Sequence, residues 1–298
     1  MDIKIETLRN AIIGEIFLSL GFSKTGFAFK AFGWLFWKPA ERVSQLGINL
    51  DRMISEEGVP KATTWLLNQW CDKVISRGRE SIPSKGPLLI ISNHAGTYDS
   101  FVISSEAGRK DFSLIASDVP FLKNLPNLSQ HIFYLSDDPY LRMVSARQGI
   151  RHLKKGGMLL IYGTGLIDPD PEIYPDAEPW IDKWLSSIDL FLAQVPETKV
   201  VFSIVSGVVS SQWAYHPVTK LKRVDWQKRR LAEFGQMIYQ LFFPGRLYLT
   251  PHISFSQPLG YSELTSSGYG KRILPAAITQ GKKLLADHMA WVNSLPKE

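Results

Sequence analysis

The chain alternates between short, mostly apolar runs and longer stretches with helical spacing. Runs at residues 88–92, 112–116, 131–135, 158–162, 199–205 and 247–255 predict β-strands. A strand covered on both faces has no polar side to show, so it reads as a near-continuous apolar run. Helical patterns separate several of these runs, and that alternation predicts an α/β fold with a mostly parallel central sheet flanked by helices. Residues 1–75 read as a mainly helical N-terminal extension, residues 76–298 as the α/β unit, and residues 270–294 as its closing helix. From Leu231 onward, Phe234, Met237, Ile238, Leu241 and Phe242 recur at helical spacing, which predicts an amphipathic helix running to Pro244.

Composition narrows the class. The 298 residues are 45% hydrophobic and 21% charged, which excludes a disordered chain and is enough for one large domain with an extension. Cys71 is the only cysteine, so no disulfide framework or Cys-based zinc site is possible, and a reducing cytoplasm is expected. The six histidines have no metalloprotease-like spacing, and neither a metal nor a cofactor is expected. Nothing points to nucleic acid as a partner.

The most apolar N-terminal segment, residues 11–37, is interrupted by Glu15, Lys24, Lys30 and four glycines, so no membrane span is expected. Nor does the start have a secretory signal pattern. Yet Phe22, Phe27, Phe29, Phe32, Trp34, Phe36 and Trp37 crowd together beside two lysines. Aromatic and basic residues in company suit the headgroup boundary of a bilayer. A helix pair whose aromatics are simply core fits equally well.

Charge adds a second hint. Residues 220–230, KLKRVDWQKRR, carry six basic residues and one acid, and so nearly all of the chain's net charge of +6. Lys228, Arg229 and Arg230 fall in the predicted first turn of the helix, where the macrodipole disfavours cations. Either the run is a solvated basic loop, or it binds an anion: a lipid phosphate, the phosphates of coenzyme A, or an acidic carrier protein. An acidic, proline-rich stretch lies at 168–182, with Asp168, Asp170, Glu172, Asp176, Glu178 and Asp182. It reads as a semi-rigid loop serving as a lid or as a partner for the basic run; it lacks a calcium-loop pattern.

Candidate chemistry gathers at residues 87–99, PLLIISNHAGTYD. The apolar strand ends at Ser92 and Asn93, a helix pattern begins near Tyr98, and Thr97 or Asp99 is the expected N-cap. His94 therefore lies at the carboxyl end of a strand, where open α/β sheets place their ligand sites. With four residues between them, including Gly96, Asp99 can reach the imidazole, fix its tautomer and make it a general base. Taken alone, the pair also fits a hydrogen-bonding histidine in a strand-exit loop.

The string N-H-x-x-x-x-D after an apolar strand resembles the first block of the glycerolipid acyltransferase family, typified by 1-acylglycerol-3-phosphate acyltransferases. Further blocks follow in order. A helix at 140–157, a strand at 158–162 and the turn Gly163-Thr164-Gly165 stand where the family has F-P-E-G-T-R. Tyr162 takes the Phe position, and Thr164 replaces the Glu that contacts the acceptor's glycerol. Ser136 and Asp137 stand where the family's phosphate-gripping Arg is expected, and they read instead as the start of the next helix. Residues 200–205, VVFSIV, resemble the Val-Pro-Val strand with Ser203 at the Pro position.

The resemblance covers roughly residues 75–255 and implies an acyltransferase fold with an N-terminal, membrane-proximal motif. It also implies transfer of an acyl group from acyl-CoA or an acyl carrier protein to a hydroxyl of a lipid acceptor, at a peripheral site on the cytoplasmic face of a membrane. His94 would act as base and Asp99 as its orienter. Asn93, Gly163, Thr164, Gly165, Lys228, Arg229 and Arg230 are the candidate substrate contacts. The lost Arg and Glu argue against simple lysophosphatidic acid as acceptor, and they leave a silent lipid-binding relative or a thioesterase as alternatives.

Overall fold

The computed structural model describes residues 5–23, 26–136, 138–265 and 272–296. Lys24, Asp137 and residues 270–271, named above, lie outside them. Four helices come first: α1 (Ile5–Leu20), α2 (Phe27–Phe32), α3 (Trp37–Glu57) and α4 (Val59–Leu67). Then follow β1 (Ile75–Arg77), β2 (Leu88–Ser92), α5 (Asp99–Ala107), β3 (Phe112–Ser117), the single turns α6 (Pro120–Lys123) and α7 (Pro126–Ser129), and β4 (Ile132–Leu135). The second half runs α8 (Pro139–Lys154), β5 (Met158–Tyr162), α9 (Glu178–Ile181), α10 (Ser187–Gln194), β6 (Lys199–Ser206) and α11 (Ser211–Ala214). It closes with α12 (Asp225–Phe242), β7 (His252–Phe255), α13 (Tyr261–Thr265) and α14 (Leu274–Ser294).

The seven strands form one sheet in the order β1-β7-β6-β2-β5-β3-β4. All neighbours are parallel except β6 and β7. The expected mostly parallel sheet flanked by helices is therefore the fold. β2 is its central strand, hydrogen-bonded to β5 on one side and β6 on the other. Its five residues are all buried because both faces are covered. Leu88 and Ile90 face a core shared with α1, α3, α4, α5 and α12. Leu89 and Ile91 face a second core built with α8, α10 and α14. The N-terminal helices thus share one core with the sheet.

Several local expectations change. β7 occupies only the end of 247–255, since Pro251 interrupts the run and Leu249 makes a lone bridge to Cys71. β1 has no apolar run to announce it. The cap of α8 is Asp138, which accepts from the N–H groups of Tyr140 (2.7 Å) and Leu141 (3.3 Å), with Pro139 at its first turn. Neither Thr97 nor Asp99 caps α5: its N-cap is Tyr98, without a side-chain hydrogen bond. α12 begins at Asp225, before the basic trio, and Asp225 pairs with Lys228 at 2.7 Å. The helix start thus has its own carboxylate. A short helix, α9, does form within the proline-rich stretch, with Pro179 in its first turn where proline is tolerated.

Candidate active site

β2 delivers Asn93 and His94 to the carboxyl edge of the sheet, and residues 95–98 lead from there into α5. Asn93 is buried and anchored: its Nδ2 donates to Val205 O and its Oδ1 accepts from Val205 N–H, both at 2.9 Å. These two bonds tie the loop after β2 to β6. His94 is 26% exposed, and its Nδ1 lies 2.8 Å from Asp99 Oδ2. Asp99 is fully buried at the first turn of α5. The Gly96 N–H donates to the same Oδ2 at 3.1 Å.

Three residues not anticipated from the sequence complete the setting. Tyr162, at the end of β5, donates its hydroxyl to Asp99 Oδ1 and stacks its ring on His94. Asp168 accepts from the His94 N–H at 2.9 Å, and its own N–H donates to His94 O at 2.7 Å. Glu233, on α12, accepts from Thr97 Oγ1 at 3.0 Å. His94 therefore has its main chain fixed, its ring backed and its Nδ1 occupied. Its Nε2 has no hydrogen-bond partner among the described residues.

Three carboxylates now surround one imidazole. Burial works against the charged ring, but Asp99, then Glu233 and Asp168, outweigh it and hold the His94 pKa at about 9. Burial pushes Asp168 up to about 6 and Glu233 up to about 7, with His94 drawing each back down.

The Gly163-Thr164-Gly165 turn lies beside the site but is mostly committed to structure. The Gly163 N–H donates to Ser92 O at 2.9 Å and the Gly165 N–H to Tyr162 O at 3.2 Å. A Cβ at Gly163 would meet the Trp184 ring at 2.4 Å, so this glycine admits an indole. Thr164 Oγ1 donates to Asp168 Oδ1 at 2.6 Å and thereby supports the carboxylate that holds His94.

The acidic stretch that follows is equally structural. Asp170 is fully buried and accepts from the N–H groups of Glu172, Gly207, Val208 and Val209. Glu172 bonds His252 and Ser206, and Asp182 pairs with Lys282. Among the described residues no cluster of His, Cys, Asp and Glu could hold a metal ion.

The basic trio is not one patch. Lys228 is paired with Asp225, Arg230 lies over the Phe234 ring, and Arg229 is buried against Trp180. A separate cleft lined by His131, Arg151, His152 and Lys155 opens at the amino ends of the strands, away from His94.

Comparison with known proteins agrees with the central block. Residues 73–176 match the profile of the family described as Acyltransferase. No curated protein sequence matches the chain. Among solved structures, the 1-acyl-sn-glycerophosphate (LPA) acyltransferase PlsC from Thermotoga maritima is 15% identical, with a TM-score of 0.43, covering 95% of this chain and 98% of its own. A likeness that slight adds nothing to the site. The matched segment holds β2, His94, Asp99, Tyr162 and Asp168, and residues 73–176 are thus similar to the Acyltransferase family.

Proposed function

We propose that the protein transfers a fatty acyl group from a thioester, acyl-CoA or acyl carrier protein, to a hydroxyl of a lipid acceptor. The observation that supports this best is the His94–Asp99 pair at 2.8 Å, with Nε2 left open at the carboxyl end of the central strand. In the proposed reaction His94 Nε2 takes the proton of the acceptor hydroxyl, and the oxygen attacks the thioester carbonyl. The tetrahedral intermediate collapses with cleavage of the C–S bond, and the proton passes from His94 to the departing thiolate. Asp99 holds Nδ1–H and stabilises the imidazolium formed in between. The mechanism needs no enzyme nucleophile.

The test is His94→Ala, with folding checked by circular dichroism and turnover followed by thiol release and by the acylated product. Loss of about 10²- to 10⁴-fold is expected for removal of a general base. Wild-type turnover in the variant would sink the assignment. Thiol release with no acceptor present would identify a thioesterase, and no turnover with any donor and acceptor a silent lipid binder.

The reading includes peripheral attachment to a membrane, with residues 1–75 as the membrane-proximal part and the cytoplasmic face as the side. No helix among the described residues is long and apolar enough to cross a bilayer. The aromatic segment is divided in its packing. Phe29 and Phe36 meet Phe17 edge-on in the core, whereas Phe27 is 84% and Trp34 66% exposed, with Phe32 and Trp37 also outward. Lys222 Nζ lies beside Gly21, which brings the basic run next to these rings. Exposed aromatics flanked by cations support a surface that enters the headgroup layer.

A further inference from the structure

One face of α12 carries a row of buried polar side chains at helical spacing: Arg229, Glu233, Gln236 and Gln240. Three of the four are matched to protein partners. Glu233 accepts from Thr97, Gln236 bonds Ser210 N–H and Val208 O, and Gln240 takes the Tyr98 hydroxyl and donates to Trp70 O and Leu247 O. Arg229 is the exception. It is 5% exposed, yet its Nε and Nη2 are buried without a hydrogen-bond partner. Among the described residues it makes no ion pair. Its guanidinium lies 4.6 Å from the centre of the Trp180 ring, which also receives Lys183 Nζ at 3.7 Å.

A permanently charged guanidinium in that setting is costly unless an anion completes it. Stacking on an indole orients the group but leaves its in-plane N–H donors free, which is the geometry that takes a phosphate bidentately. Arg229 stands one helical turn, about 6 Å along α12, from the glutamate tied to the His94 loop. It is therefore close enough for a molecule reacting at His94 to reach both.

Resting on the proposed acyl transfer, we infer that Arg229 is the phosphate-binding residue of this site, held for that role by α12 and the Trp180 ring. The phosphate belongs either to the acceptor's headgroup or to the donor's phosphopantetheine or CoA moiety. Both are substrates of the same site and offer the same oxyanion.

The test is calorimetric binding to the whole protein, wild type and Arg229→Met, with four probes. Coenzyme A and a short-chain lysophosphatidic acid carry phosphate; pantetheine and a monoacylglycerol are their phosphate-free counterparts. Loss of a charge-assisted bidentate contact should weaken one phosphate-bearing probe about ten- to a hundredfold, without a matching loss for its counterpart. Weakening of coenzyme A assigns the donor, and weakening of lysophosphatidic acid the acceptor. The unliganded variant should melt at or above the wild-type temperature, because an uncompensated buried charge has been replaced by an apolar stem.

Arg229→Lys, which keeps the charge and loses the planar fork, should fall between the two. The inference is overturned if neither phosphate-bearing probe binds the wild type, if Arg229→Met leaves both unchanged, or if the variant melts lower and all four probes weaken alike. Phosphate binding that depends on Arg229 without thioester turnover would keep this inference and reject the proposed reaction instead.

Discussion

Tyr162 lies face to face with His94, the ring centres 4.0 Å apart and the planes inclined by 14°. Its hydroxyl donates to Asp99 Oδ1, which leaves Oδ2 for the imidazole. One tyrosine thus backs the His94 ring and also binds the carboxylate that holds its Nδ1. Tyr162→Phe keeps the stacking and removes one hydrogen bond to a charged acceptor, worth about 1.5–3 kcal/mol. We expect kcat/KM to fall about ten- to a hundredfold, and Asp99→Asn to cost more, on the order of 10²- to 10⁴-fold. Equal activity of Tyr162→Phe and wild type would remove the hydroxyl from any positioning role.

The proton on His94 makes a directional prediction. With its pKa held at about 9, the ring is mostly protonated at neutral pH, and only the neutral form can accept a proton. The free-enzyme profile, kcat/KM against pH, should therefore rise towards about 9. Glu233 is one of the charges that hold this value up. Glu233→Gln removes that charge, so the rising limb should move to lower pH. A profile that falls between neutrality and pH 9 would mean that the protonated ring does the work, and the general-base assignment would fail.

Gly163 gives a stability prediction. Trp184 is almost fully buried, and a Cβ on Gly163 would lie 2.4 Å from its Cγ, Cδ1 and Nε1 atoms. No rotation of a packed indole relieves three contacts at once, so Gly163→Ala should cost about 1–3 kcal/mol or more. Gly165 is exposed, and a Cβ there meets only Leu185 Cδ1 at 3.6 Å. Its φ of +66° still strains an alanine, by about 1–2 kcal/mol. Thermal melts should therefore rank Gly163→Ala at or below Gly165→Ala. A fully stable Gly163→Ala would show that the turn is not held by Trp184.

The central sheet was legible in the sequence because its inner strands are apolar throughout. β2 and β5 match residues 88–92 and 158–162 to the residue, and each is buried along nearly its whole length. β1 escaped because its three residues are half-buried at an edge and form no run. The start of α12 escaped for the opposite reason: its first turn is exposed and polar, so apolar spacing marks only the later turns. Within the site, His94 and Asp99 were visible as a local spacing of five. Tyr162, Asp168 and Glu233 were not, because they meet the His94 loop across separations of 63, 74 and 136 residues. Such encounters depend on strand order and leave no local pattern. Asn93 and the glycines of the 163–165 turn stand at strand ends beside His94, and the bonds that tie Asn93 to β6 and Gly163 to β2 likewise cross long sequence separations.

The last prediction concerns the membrane surface, where two features act through different physics. Phe27, Phe32, Trp34 and Trp37 project outward, and burying their rings in the headgroup layer contributes an apolar term insensitive to salt. Lys220 and Arg223 are exposed in the adjoining basic run, and each cation near an anionic surface contributes about 1 kcal/mol that salt screens away. Sedimentation with vesicles containing anionic lipid should separate the two. At low salt the wild type should pellet, and high salt should release most of it. Lys220→Glu with Arg223→Glu should lower binding by about tenfold or more and flatten the salt dependence, since each reversal turns attraction into repulsion. Trp34→Ser with Trp37→Ser should weaken binding while leaving the salt dependence intact. These substitutions avoid Phe29 and Phe36, whose rings pack on Phe17 and whose loss would disturb the fold. A wild-type protein that stays in the supernatant with anionic vesicles at low salt would reject the attachment, and the outward rings would then need another partner to cover them.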